Sequence, residues 1–335
     1  MKIIISTGIY PPEIGGPSEY ARKLFETLLI QNHDVTIVTY GSLKKFTTGF
    51  RHFLYFCRLF LGAYDTDYII AMDTYSVGLP AVIFAILLKK KIVIRVAGDF
   101  LWESYVERTR GPILLSDFYN VKRRYSFKEK IIFILTKFLL KYANSVVFST
   151  EWQRKIMLQA YEISLKKTTI IENFYPSVKF DDTVTSPEKV FLSPSRDRFI
   201  KNKKNLEEAF ARIASHYKDI VLDTKVVAHE VLMEKIPKAY AVIVPSLSEV
   251  SPNLAVDALQ HSVPIIVTKD TGIADRLKDM AMFIDPLSVE SIQNGIESLL
   301  NTETYDSYRH KIMQSKFTHS WNEIAQEFLD LYKTL

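Results

Sequence analysis

The sequence predicts an α/β protein made of two parallel, helix-covered sheets in series. Short β-branched runs alternate with helical periodicity through most of the chain, as parallel strands covered on both faces require. At 335 residues the chain is about 2.2 times a typical domain of roughly 150 residues, which favours two cores over one. Between the two alternating stretches the periodicity lapses. Pro176, Ser177, Asp181, Asp182, Thr183, Thr185, Ser186 and Pro187 gather there, so the stretch reads as a linker. The expected division is a first domain over 1–172, a linker over 173–189, a second domain over 190–318 and a terminal helix over 319–335 that packs back towards the first domain.

In the first half, strands are expected at Lys2–Thr7, Val35–Tyr40, Tyr68–Met72, Ile92–Val96, Ser145–Phe148 and Thr168–Ile171. Ala21, Leu24, Phe25, Leu28 and Leu29 form one apolar helical stripe between the first two. Further helices are expected at 51–62, 76–88, 127–142 and 151–161. The second alternation places strands near Val190–Ser193, Lys225–Ala228, Ala241–Val244, Pro264–Thr268 and Met282–Ile284. A helix carrying Leu206, Ala209, Phe210 and Ile213 follows its first strand, and helices near 288–300, 303–316 and 320–334 close the chain. Open parallel sheets bind ligands at the carboxyl ends of their strands, so the ligand cleft is expected between the two domains.

Composition narrows the function classes. Apolar residues at 47% and charged residues at 24% are globular proportions and exclude wholesale disorder. Cys57 is the single cysteine, which excludes a disulfide framework and a thiolate metal cluster and suits a reducing cytoplasm. The longest apolar run, Val77–Leu88, has 12 residues and contains Pro80, short of the roughly 18 of a membrane span. The start leads directly into a strand pattern without a cleavage site, so export is not expected. Residues 1–175 carry 24 Lys/Arg against 15 Asp/Glu, while residues 176–335 carry 19 against 23. The front half therefore faces something anionic. No motif interleaves bases with aromatic side chains, so nucleic acid is not the expected partner.

Three stretches carry chemistry. Gly15-Gly16 before the first helix lets backbone N–H groups approach an anion, though a structural turn would use the same glycines. It is neither a dinucleotide fingerprint nor a Walker motif. Ser195-Arg196 and Lys201-Asn202-Lys203-Lys204 set cations between a strand end and a helix, where they could clamp a diphosphate or form a solvated loop. In Pro245 to Leu259, Ser251 and Pro252 suit an N-cap and a first helical residue. Glu249 then lies on the entering loop and Asp257 about one and a half turns into the helix, two acceptors suited to sugar and ribose hydroxyls.

With these residues in view, the sequence resembles the retaining glycosyltransferases of family 4, whose GT-B fold sets two Rossmann-like domains with parallel sheets facing across a cleft. The resemblance spans nearly the whole chain: Gly15-Gly16, Asn32-His33-Asp34-Val35-Thr36, Arg196 with Lys201, Pro245-Ser246 followed by Glu249 and Asp257, and Ser320-Trp321. Glu249 and Asp257 stand eight positions apart, as in the family's E-x7-E motif. The resemblance implies that Arg196 and Lys201 stabilise the departing nucleoside diphosphate, that Glu249 contacts the transferred sugar and Asp257 the ribose. Gly15 and Gly16 would serve the phosphates, and Asn253 and Leu254 would offer backbone donors. It implies no cofactor and no metal, with a nucleotide sugar as substrate and a glycan or lipid-linked molecule as acceptor.

Two departures stand out. Asp257 replaces the usual second Glu, and Gly98 occupies the strand end where many members carry a histidine. Asp99, with Trp102 and Glu103, is the alternative polar set for sugar or acceptor. A degenerate member that binds a nucleotide sugar without turnover is the competing reading. Residues 121–142 contain seven Lys/Arg and one Glu, and Lys130, Lys137 and Lys141 are expected on one helical face with Ile131, Ile134, Leu135 and Phe138 on another. Such a helix suits an anionic membrane surface on the inner face of the membrane, or a sheet-covering helix with a solvated stripe.

Overall fold

The computed structural model describes residues 1–13, 15–179 and 188–335. Ile14 and the linker residues Asp181, Asp182, Thr183, Thr185, Ser186 and Pro187 lie outside the described residues. In chain order the elements begin β1 (Lys2–Thr7), α1 (Gly16–Ile30), β2 (Asp34–Thr39), α2 (Thr48–Ala63), β3 (Tyr68–Ala71), α3 (Gly78–Leu88) and β4 (Lys91–Val96). They continue with α4 (Phe100–Thr109), α5 (Leu115–Phe118), α6 (Phe127–Tyr142), β5 (Ser145–Phe148), α7 (Glu151–Tyr161) and β6 (Thr168–Ile170). There follow β7 (Lys189–Leu192), α8 (Lys203–Ala214), β8 (Ile220–Asp223), α9 (His229–Lys235), β9 (Ala241–Val244) and α10 (Asn253–Gln260). The chain ends with β10 (Ile265–Thr268), α11 (Ala274–Leu277), β11 (Ala281–Ile284), α12 (Val289–Leu300), α13 (Thr302–Met313) and α14 (Trp321–Thr334).

Two compact units result. One comprises Met1–Ser104, Arg123–Phe174 and His319–Leu335; the other comprises Tyr105–Lys122 and Tyr175–Thr318. The first holds a parallel sheet in the order β2-β1-β3-β4-β5-β6, the second a parallel sheet in the order β11-β10-β9-β7-β8. Each order reverses once, between β1 and β3 and between β7 and β9, and at such switch points parallel sheets open a crevice beyond their carboxyl ends.

The first core is made by strand residues such as Ile3, Ile5 and Ile70 with Leu24 and Leu28 of α1, and α14 adds Ile324 and Phe328. Helix α14 starts at a capping box of Ser320 and Glu323, which fixes its first turn. The second sheet carries one core on each face: Val242, Val267 and Ala255 on one side, Phe191, Ile243, Leu206 and Ile296 on the other.

Three local expectations are corrected. The strand expected at Lys225–Ala228 forms instead at Ile220–Asp223, where it pairs with β7. Asp223 Oδ1 accepts the Lys225 N–H at 3.0 Å, which turns the chain out of the sheet before the Val-Val pair. Helix α10 begins one residue late: Pro252 is its N-cap, no side chain caps it, and the Ser251 hydroxyl is buried without a partner. In α6 the buried face is Glu129, Ile132, Thr136, Leu139 and Leu140, so Ile134 and Phe138 are exposed along with Lys130 and Lys141.

Candidate active site

In the second unit, the segments that follow β7 and β9 meet beyond the carboxyl ends of those strands, at the switch point. After β7 the chain passes the exposed Arg196 and makes a 3-10 turn, Phe199–Lys201. Asn202 then takes the left-handed conformation at φ 56°, which Asn tolerates better than most residues. Its side-chain amide donates to Pro245 O at 3.0 Å and Pro286 O at 2.7 Å, tying this turn to the loops after β9 and β11.

On that turn Lys201 Nζ lies 2.6 Å from Glu249 Oε1, with both side chains partly buried. Two residues 48 positions apart thus meet as a charge-assisted hydrogen bond at the switch point. Lys203 is engaged elsewhere, with Glu207 one turn along α8. The Glu249 backbone is clasped by the loop after β10: its N–H donates to Asp270 O at 3.0 Å and its carbonyl accepts from Gly272 N–H at 2.9 Å. Beside it the hydroxyls of Ser251 and Thr271 are buried without protein partners, an arrangement that buried polar groups rarely keep unless a ligand or water completes it.

Helix α10 presents its amino end on the same segment. The Pro252 carbonyl accepts from Ala255 and Val256, and with no side chain at the cap the amides of Asn253 and Leu254 are the end's donor groups. Asp257 is half-buried one turn further in.

A residue the sequence did not single out holds the lysine turn. Glu107, in the stretch of α4 belonging to the second unit, accepts from the Phe199 and Ile200 N–H groups at 3.2 and 3.3 Å. The same carboxylate lies 3.3 Å from Arg198 Nε and 3.5 Å from Arg110 Nη1. Further along, Leu115 N–H donates to Ser248 Oγ at 2.7 Å, and Ser248 in turn bonds Asp270. A front-half segment therefore braces both site loops of the second unit.

In the first unit Gly15 precedes α1 at φ 155°, where a Cβ would be strained, and its carbonyl accepts from Ser18 and Glu19. The Gly16 N–H opens the helix, Pro17 having none and the Ser18 and Glu19 amides being taken by the Gly15 carbonyl, and the cap is backbone alone. Beyond β4, Asp99 is buried and its Oδ1 accepts the Trp102 N–H at 2.9 Å, so it caps α4, while Trp102 itself is buried. A Cβ at Gly98 would stand 3.1 Å from Glu103 Oε1: the Glu103 carboxylate occupies the space a side chain there would need. Asp73, Tyr75, Phe100 and Glu103 line a recess of about 130 Å³, with the two rings stacked 5.5 Å apart. Asp73, Tyr75 and Phe100 were missed by sequence reasoning, because β3 and β4 bring together short loops that carry no motif.

Solved structures share this architecture. The fold is GT-B. Anabaena HepE in complex with UDP and glucose superposes with a TM-score of 0.73 at 14% identity, covering 100% of both chains. Sucrose-phosphate synthase from Thermosynechococcus elongatus gives 0.70 at 15% identity over 99% of this chain and 98% of that one. The UDP-GlcNAc 2-epimerase from Methanocaldococcus jannaschii gives 0.57 at 14% identity over 100% of both. No family model matches the sequence, and no curated protein matches it. On the GT-B frame, Lys201, Glu249 and the α10 amino end all belong to the second unit, and Gly15, Gly16, Asp99, Trp102 and Glu103 to the first. Among the described residues no group of three or more His, Cys, Asp or Glu is placed to hold a metal ion.

Proposed function

We propose that the protein is a retaining, family 4-type glycosyltransferase that moves a sugar from a nucleotide donor to a glycan or lipid-linked acceptor. The observation that carries this is the Lys201–Glu249 pair at 2.6 Å beside the uncapped amino end of α10, at the switch point of the second sheet. Lys201 and the exposed Arg196 would neutralise charge growing on the departing diphosphate, the role for which fixed cations contribute most. Positive charge from these side chains and from helix amides removes the need for a resident metal or cofactor. Glu249 would accept a hydrogen bond from a hydroxyl of the transferred sugar, Asp257 from the ribose, and the Asn253 and Leu254 amides would donate to donor oxygens. Gly15 and Gly16 would serve phosphate oxygens of the donor.

In the transfer the anomeric carbon–oxygen bond to the diphosphate breaks and a bond to the acceptor hydroxyl oxygen forms on the same face. The acceptor's proton passes to the departing diphosphate. The recess lined by Tyr75, Phe100 and Glu103, with its stacked rings and the Glu103 carboxylate, suits a hydroxylated acceptor. That two neighbours of this fold are named for UDP complexes or a UDP-sugar substrate supports a nucleotide-sugar donor. The chain would work in the cytoplasm, attached to the inner face of a membrane; no helix among the described residues is long and apolar enough to cross one, and residues 121–142 carry a local net charge of +6.

The experiment is a thermal-shift screen of nucleotide sugars followed by acceptor trials with the donor that binds. A ligand at a hundred times its dissociation constant stabilises by about 2.7 kcal/mol. Acceptor-dependent release of nucleoside diphosphate, with the anomeric configuration kept, is the expected result. Binding without release under any acceptor would favour the non-catalytic binding reading, and interconversion of the donor's own sugar would favour an epimerase.

A further inference from the structure

We propose that the outer faces of α2, α3 and α6 form one surface that seats on an anionic lipid bilayer, with apolar side chains entering the interface and lysines meeting lipid headgroups. This deepens the membrane attachment proposed above, and rests on it, by naming the surface that makes it. The two faces of the first sheet are covered differently. On one, α1 is packed against α14, so its outer side is sheltered. The right-handed crossovers from β2 to β3 and from β3 to β4 put α2 and α3 on the other face. There α2 packs on α3 and α3 on α6, with no further helix over them among the described contacts.

What the three helices leave outside is apolar. In α2 the buried side is Tyr55 and Leu59, while Phe53, Phe60 and Leu61 are exposed, Leu61 by 87%. Helix α3, Gly78–Leu88, contains no polar side chain at all and exposes Ile86 and Leu87. A helix apolar all round ordinarily lies in a core or against lipid. In α6 the exposed apolar residues include Ile134 and Phe138. Aromatic pairs join the helices: Phe56 and Phe60 both meet Phe84 edge-on. An apolar face spread over three adjacent helices exceeds the scattered hydrophobic residues normal for a surface in water.

Charge selects the occupant. Helices α2 and α3 contain no Asp or Glu, and the single acid of α6, Glu129, is buried in the capping box with Ser126. Lys89 after α3 and Lys130 and Lys141 of α6 are exposed, while Lys137 is paired with Glu162. A second copy of the chain docked on this face would set lysines against lysines, which disfavours it. Anionic headgroups neutralise the same lysines, and the rings and aliphatic chains reach the acyl boundary, the two-part attraction of an interfacial surface.

The test uses flotation of the full chain with vesicles of phosphatidylcholine alone or mixed with phosphatidylglycerol. Wild type should bind the mixed vesicles, and Phe53→Ser/Phe60→Ser/Leu61→Ser should bind at least tenfold more weakly while keeping the thermal shift given by the nucleotide-sugar donor. The single variant Phe53→Trp should gain fluorescence over wild type that brominated lipids quench, a readout that does not depend on the triple variant's folding. If wild type binds neither vesicle, membrane attachment itself is wrong while the transferase reading stands. If the triple variant binds as wild type does, or if the fluorescence gained in Phe53→Trp is not quenched, this surface is the wrong one. Dimerisation in the absence of lipid that the triple variant abolishes would assign the face to a second copy instead.

Discussion

The two switch points make an instructive pair. Both lie where the strand order of a parallel sheet reverses, and both bring a carboxylate to the end of a strand. In the first unit Asp73 is taken up by its own chain: Oδ1 accepts from the Ser76 and Val77 amides at 2.9 Å each, on the approach to α3. Gly78 is required there, since a Cβ would come 2.3 Å from Asp73 O. In the second unit Glu249 meets a lysine from another loop, and the helix after it has no side-chain cap. A carboxylate engaged by local amides stabilises a turn, whereas one engaged by a cation from another loop, beside a helix without a side-chain cap and two unpartnered hydroxyls, joins separate segments of the chain.

Substitutions should separate the two. The largest effect is expected from removing the cations: Lys201→Ala or Arg196→Ala should lower turnover by roughly 10²-fold or more, as losing an oxyanion-type donor does. Glu107→Gln should follow, at about tenfold, because the turn bearing Lys201 loses one of the two oxygens that accept its amides, together with the charge facing Arg198 and Arg110, and misplacement of a catalytic group is costly. Its signature is a parallel loss of affinity for the bare nucleoside diphosphate in calorimetry, which a change confined to folding stability would not produce. Asp257→Asn should weaken nucleotide affinity several-fold with a smaller effect on turnover, read by the same titration.

At the other switch point, Asp73→Ala should cost about 1 kcal/mol in urea unfolding, the usual loss of a capping acceptor, with donor affinity unchanged. A collapse of donor affinity there would erase the contrast between the two sites. The smallest effect concerns Asp285 at the end of β11. The hydrogen bond from Lys269 holds its carboxyl below the ordinary carboxylate value. Its contribution is therefore present above the unfolded value and lost as pH falls through the depressed folded one. Asp285→Asn should lower stability slightly at neutral pH and leave it almost unchanged at the acid end, where the carboxyl is already protonated, so the acid limb of a stability–pH curve flattens.

The sequence showed a good deal of this. Strands that are buried on both faces, such as Ile3-Ile4-Ile5 and Ala241–Val244, announce themselves as continuous apolar runs. Lys225–Ala228 misled for the same reason: Val226-Val227 reads as strand, but a single Asx turn at Asp223 decides where the strand stops. Lys201 and Glu249 stood out in the sequence through strand-end motifs and the family resemblance, and the fold adds that the two meet at 2.6 Å. Glu107 did not stand out, since its role depends on partners 92 and 93 residues away that only the fold assembles. The outward turn of Ile134 and Phe138 was hidden likewise, because a helix apolar on two sides does not declare which one the sheet takes.

The most direct measurement compares wild type, Lys201→Ala and Glu249→Gln with the donor found by the thermal-shift screen, following both nucleoside diphosphate affinity and sugar transfer. The paired-site account predicts that Lys201→Ala loses transfer by about 10²-fold or more, and that Glu249→Gln loses transfer while nucleoside diphosphate affinity stays near wild type. Near-normal transfer in both variants would contradict it and move the donor site away from the β7/β9 switch point.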